Sequence, residues 1–391
     1  MREALEGSQA IARAVSMCKP DVVAAYPITP QTHIVENLSK LVAEGDLHTE
    51  FVSVESEFSA ASVVLGAAAA GARAYTATAS QGVLLMAEVL FNIAGMRIPL
   101  VMTVANRAVS APLSIWNDHG DSMAVRDSGW IQLHAADNQE AVDTTIQAFR
   151  ITQETELPVM VCMDGFILTH TMEVIDMPDP AQIDDWLPPF TFARQLDPTD
   201  PKSLGTLVSP EFFAEIRHSH HSAMLKALQV IEQTDASWAA LTGRACGGLL
   251  TVEGDLNAAV GIVAMGSTVG TLQMGMEQHA GDAGPARLIK LRAFRPFPAE
   301  ALRKAVEGLD HLIVVDRAIS PGLGGILGTE IAAVLADMPG APRIHNHALG
   351  LGGRDIPETI YADLLQAIKD PDAPAFSVFD AEMDKLAPED R

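Results

Sequence analysis

Cysteine is scarce in this chain of 391 residues, and basic residues are heavily outnumbered. The three cysteines, Cys18, Cys162 and Cys246, lie far apart. That spacing excludes a self-contained four-cysteine iron–sulfur site and a disulfide framework, and reads as reduced structural thiols. Lys and Arg number 26 against 50 Asp and Glu, a formal charge of −24. With no basic excess to neutralise phosphates, a general nucleic-acid binder and a protein adsorbed to an anionic membrane are both excluded. Long apolar runs are missing as well, broken by Gly, Pro or charge before they reach a spanning length. The start, Met1 to Ser16, lacks the basic end and apolar core of a signal peptide, so a soluble, cytoplasmic protein is expected. Neither a P-loop, nor a complete dinucleotide fingerprint, nor a zinc motif such as HExxH is present.

What is there is a globular composition, 48% apolar with 29 Gly and 23 Pro, long enough for two or three domains with cores of their own. Apolar strand candidates alternate with helical periodicity: a helix over 3–17, strands at 22–25, 51–54, 72–78 and 100–105, and helices at 33–44, 59–70 and 82–95. This succession predicts an α/β fold with a largely parallel sheet. A Pro- and Asp-rich stretch over 178–201 and a helix around 210–232 precede a second α/β succession. The expected division is a first unit over 1–235 including a connecting helix, a linker over 236–256, and a second unit with the C-terminal tail over 257–391.

Several groups could carry chemistry. Thr29 stands between Pro27 and Pro30 in a turn whose prolines restrict the backbone, and its hydroxyl can donate to a carboxylate or carbonyl oxygen. Glu55 and Glu57 follow a strand; their spacing alone describes solvent-facing carboxylates, but a buried one could exchange a proton with a heterocycle. Arg107 follows the 100–105 strand, and a guanidinium at a strand end can bind a small carboxylate. The run Asp118-His119-Gly120-Asp121 reads as a polar loop fixing a site wall, with Trp116 and Trp130 packed around it. His218 to His221 is read as a solvated interdomain segment. Gly322 to Gly325, before a helix, is the strongest anion-binding possibility among the glycine clusters, although tight turns and packing are the default reading.

Taken in order, Tyr26–Pro30, Glu55-Ser56-Glu57, Asn106–Pro112, Trp116–Trp130 and the later Leu291–Pro298 segment resemble the alpha subunit of multisubunit pyruvate:ferredoxin oxidoreductases, within the 2-oxoacid:ferredoxin oxidoreductase family. The likeness extends through almost the whole chain. It implies a thiamine-diphosphate pyrimidine-type parallel-sheet domain followed by a transketolase C-terminal-like α/β domain. It further implies that a beta subunit supplies the diphosphate and magnesium site and an iron–sulfur cluster. Gamma and delta subunits, or equivalent domains, would help handle coenzyme A and carry further clusters toward ferredoxin. On the same ground Glu57 would contact the cofactor's aminopyrimidine, and Thr29 and Arg107 would bind the 2-oxoacid carboxylate. Pyruvate is the expected substrate. A different 2-oxoacid, or a noncatalytic scaffold role in a redox complex, are the competing readings.

Overall fold

The computed structural model describes residues 2–390 and gathers most of its strands into two sheets. The first sheet runs Ala293–Arg295, Ile131–His134, Val159–Asp164, Val101–Asn106, Ala74–Thr78, Val22–Ala25, Glu50–Ser53. Its neighbours are parallel except Ala293–Arg295, which is antiparallel to Ile131–His134. Successive side chains of a strand face opposite ways. Val101, Val159 and Val161 accordingly join the core beneath helices Gly7–Met17 and Asn138–Thr155, whereas Met102, Val104 and Met160 join the core beneath Glu57–Ala69 and Ala87–Gly95. Burial on both faces is why these strands read as apolar runs.

From Val22–Ala25 the chain passes to Glu50–Ser53 on one side and then returns to Ala74–Thr78 on the other. The strand order therefore reverses between Val22–Ala25 and Ala74–Thr78. The crevice beyond their carboxyl ends is a topological switch point, where open α/β sheets take up ligands.

The second sheet runs Phe376–Val378, Arg343–Ala348, His311–Asp316, Val260–Ala264, Arg287–Leu291, Leu250–Gly254, with the last strand antiparallel. A 33-residue helix, Pro210–Thr242, precedes it. Among the described residues no helix is long and apolar enough to cross a membrane.

Some elements differ from the sequence reading, each for a physical reason. The first helix begins at Gly7, because Arg2–Glu6 pairs as a strand with the distant Met172–Asp176. The helix expected from residue 59 begins at Glu57, since Ser56 caps it by accepting from Ser59 N at 3.2 Å. The stretch 82–95 splits into Gln81–Leu85 and Ala87–Gly95. Residues 236–256, expected as a linker, hold the end of the long helix, anchored by the buried Trp238, and the edge strand Leu250–Gly254. Strand pairing thus draws residues before 257 into the second sheet, and Ala293–Arg295 back into the first.

Candidate active site at the switch point

The turn after Val22–Ala25 is tied across the crevice. Gln31, fully buried, donates from Nε2 to Ala77 O at 2.7 Å and accepts from Ile28 N at 3.3 Å. Thr29 itself is exposed, beside the buried Pro30. The acidic pair splits. Glu55 is exposed and accepts from the Ser59 hydroxyl, which lowers its pKa. Glu57 is 7% exposed in the first turn of its helix, where the helix dipole favours a carboxylate. Facing it is Gly82, just after Ala74–Thr78. A methyl group at position 82 would lie 2.3 Å from Thr78 Oγ1 and 2.9 Å from Glu57 Oε1, so glycine is what lets this turn approach the carboxylate.

Asp121 joins this wall to Arg107. Its carboxylate is fully buried: Oδ1 accepts from Asn106 Nδ2 (2.7 Å) and Ser122 N (2.7 Å), and Oδ2 from Ser80 N (2.8 Å) and Arg107 N (3.0 Å). Burial pushes its pKa up to about 6, against the pull of those four hydrogen bonds. Ser80 is held at φ 50 and ψ −123, and its hydroxyl donates to Ala108 O at 2.6 Å. Arg107, 7% exposed, donates from Nε to Ser114 O and from Nη1 to Thr29 O, each at 2.9 Å. Burial draws the guanidinium below its ordinary pKa, while Asp121 opposes that shift. Thr29 and Arg107 are therefore in direct contact, and Glu57 belongs to the same rim through Gly82, Ser80 and Asp121.

A second buried network reaches the other sheet. Asp164, at the end of its strand, binds His119 Nε2 (2.8 Å), Arg317 Nη1 (3.1 Å) and the Ser267 hydroxyl (2.5 Å). Burial would raise its pKa, yet His119, Arg317 and Ser267 outweigh burial and hold it well below the carboxylate range. His119 N also donates to Arg317 O, and Gly352 N to Asp118 Oδ2. The 116–121 loop is thus gripped by both units. Trp130 is buried in the first unit's core, while Trp116 is 51% exposed and packs on Phe166.

Other candidates resolve differently. His218 to His221 belong to the long helix, and His220 is buried, with Nε2 3.2 Å from Gly129 O. The Gly322–Gly325 segment forms a two-strand turn, and the amides of the helix behind it, Leu327 N and Gly328 N, donate to Asp316. An internal carboxylate already occupies that anion position. Glu6, His33 and His170 converge as a further group, with His33 paired to Glu6 at 2.7 Å and its ring tilted against that of His170 at 4.6 Å. The residues that sequence reasoning underused are Ser80, Gly82, Asp121 and Arg317. A Ser-Gln-Gly turn directly after a strand was the available signal for the first two.

Residues 13–236, more than half of the chain, match the family model described as pyruvate flavodoxin/ferredoxin oxidoreductase, thiamine diphosphate-binding. The chain belongs to this family. Residues 258–359 match pyruvate:ferredoxin oxidoreductase core domain II. Among curated members of the oxidoreductase family, the pyruvate synthase subunit PorA of Methanosarcina barkeri is 46% identical over 93% of this chain and 92% of its own length. The ketoisovalerate oxidoreductase subunit VorA of Pyrococcus abyssi is 37% identical over 91% and 90%. A solved 2-oxoglutarate:ferredoxin oxidoreductase from Magnetococcus marinus superposes with a TM-score of 0.70 at 19% identity, covering 93% of this chain and 65% of that one. A split-gene transketolase gives 0.55 at 14%, covering 93% and 98%. At these identities the structural likenesses speak for the fold alone. The fold class is the expected one, an α/β thiamine-diphosphate pyrimidine-type domain followed by a transketolase C-terminal-like domain.

Proposed function

We propose that this chain is the alpha subunit of a cytoplasmic, thiamine-diphosphate-dependent pyruvate:ferredoxin oxidoreductase. The complex would decarboxylate pyruvate oxidatively to acetyl-CoA and carbon dioxide while reducing ferredoxin. One observation carries the reading: Arg107 contacts Thr29 at the switch point of the sheet, and Asp121 ties the Arg107 backbone to Ser80, in the turn that leads to Gly82 beside the buried Glu57, in a chain that the family model covers there. The proposed division keeps the first unit over 1–235, the connection over 236–256 and the second unit over 257–391.

The donor set fits an aminopyrimidine. A buried carboxylate stands against a glycine that lets the chain approach it closely, and Thr78 Oγ1 and Gln81 Nε2 beside it are buried without protein partners. Thiamine diphosphate, when bound, would supply the electron sink for decarboxylation. Glu57 would hold and exchange a proton at the ring nitrogen it faces. Arg107, with Nε and Nη1 already fixed on Ser114 and Thr29, would turn the remaining donors of its fork to the substrate carboxylate. The Thr29 hydroxyl would add a donor to the same group. Acting together, they would set the 2-oxo carbon in place before reaction, a gain of proximity and orientation. Magnesium, the diphosphate site and the iron–sulfur clusters are assigned to the beta subunit and to gamma and delta subunits or equivalent domains. Coenzyme A enters as cosubstrate.

The test is to co-purify the assembly and measure ferredoxin reduction with equal concentrations of pyruvate, 2-oxobutyrate and 2-oxoglutarate. Pyruvate should give the highest kcat/KM; a clear preference for 2-oxoglutarate would overturn the substrate assignment. In the same assembly Glu57→Gln should slow exchange of the thiamine C2 proton by at least about a hundredfold, the lower range of general acid–base catalysis. Normal exchange would remove Glu57 from its role and favour the scaffold reading.

A further inference from the structure

We propose that Asp121 is the positioning residue of the 2-oxoacid pocket, holding the backbone from which Arg107 reaches the substrate. This rests on the assignment of Arg107 above. Asp121 touches no exposed part of the site, but each of its oxygens takes two donors. Oδ2 receives Ser80 N and Arg107 N, which follow neighbouring strands of the sheet, and Oδ1 receives Asn106 Nδ2 and Ser122 N. One carboxylate therefore ties together the turns after Ala74–Thr78 and Val101–Asn106 and the short helix Gly120–Ala124. The turns it joins carry Gly82, against Glu57, and Arg107, against Thr29.

The chemistry requires an acceptor-only group. All four partners are N–H donors, and an ionised carboxylate has lone pairs for them all. An amide has a single acceptor oxygen and would turn its NH2 toward one of the two donor pairs. If it faces Ser80 N and Arg107 N, both lose their partner and the two turns come apart. If it faces the other pair, Asn106 and Ser122 lose theirs. Buried donors left unpaired carry their full desolvation cost, so the loops should shift to find new partners. The main consequence is a displaced Arg107, which weakens carboxylate binding in the ground state and appears in KM.

The experiment is a double-mutant cycle in the complete, co-purified complex, with Asp121→Asn, Arg107→Ala and the pair. Both single variants should raise KM for pyruvate by about tenfold or more, the scale of one hydrogen bond to a charged group. If Asp121 acts through Arg107, adding Asp121→Asn to Arg107→Ala should raise KM by less than about threefold, since coupled residues are not additive. Thiamine diphosphate should stay bound in each complex. Multiplication of the two effects, or an unchanged KM in Asp121→Asn beside a raised one in Arg107→Ala, would overturn the proposal alone. An unchanged KM in Arg107→Ala would overturn the Arg107 assignment and the proposal with it. Should Asp121→Asn fail to assemble, Asp121→Ser, whose single hydroxyl oxygen cannot hold all four donors, runs the same cycle with the same criterion.

Discussion

His134 lies fully buried beside His119 and Phe294, with both ring nitrogens unpartnered. Burial first, and then the His119 charge, pull its pKa down from 6.5 to about 3. Between those two values the unfolded chain takes up a proton that the folded chain refuses. The stability His134 permits is therefore complete above pH 6.5 and lost as pH falls toward 3. Asp121 titrates in the opposite sense over part of that window, so the contribution of His134 is read from a difference. His134→Leu removes the titration without removing a hydrogen bond. Its stability relative to the parent, from urea unfolding, should improve by about 3 kcal/mol between pH 7 and pH 4. A gap that stays constant over that interval would show that the imidazole is not held neutral.

At the scale of elements, the first turn of the helix Gln81–Leu85, just after Ala74–Thr78, packs against the carboxylate of Glu57. Gly82→Ala suits the helical backbone, but its methyl group must displace Thr78 Oγ1 or Glu57. Overpacking of this kind costs about 1–3 kcal/mol. The expected result is an assembled complex with ferredoxin reduction down at least about tenfold; near-normal activity would show that Glu57 has room to spare.

The same elements show what a sequence discloses. Val101–Asn106 was legible because burial on both faces leaves an apolar run bounded by polar turns. Arg2–Glu6 was not, because its strand state depends on Met172–Asp176, far along the chain. Ala293–Arg295 likewise becomes a strand by crossing to the other unit's sheet. Of the proposed site, Thr29, Glu57 and Arg107 were expected from ordered motifs. The burial that separates Glu57 from Glu55 was not, since alternation after a strand has the same spacing either way. Asp121 was visible as one polar residue among several in its loop. Its four donors come from three parts of the chain, and no local pattern encodes them.

Across the whole molecule, the two units meet through Asp164, His119, Ser267 and Arg317, with Arg317 and Asp164 each buried to within a few per cent. Removing one partner of such a buried pair leaves the other charge poorly compensated. Arg317→Met should therefore destabilise the chain by about 3–5 kcal/mol, measured by denaturant unfolding, and a loss below about 1 kcal/mol would show that the grip between units is dispensable. Stability margins of folded chains are themselves about 5–15 kcal/mol, so this contact bears on survival of the fold as well as on the site. Ser80 bears on it from the other direction. A serine held at φ 50 and ψ −123 sits about 1–3 kcal/mol above a relaxed backbone, in a conformation that glycine adopts more readily. Heat-resistance screens of this subunit would meet position 80 as a decoy. Glycine would be favoured there for thermostability while deleting the hydroxyl that ties the turn to Ala108, so the hardiest clones would be the wrong ones to carry forward.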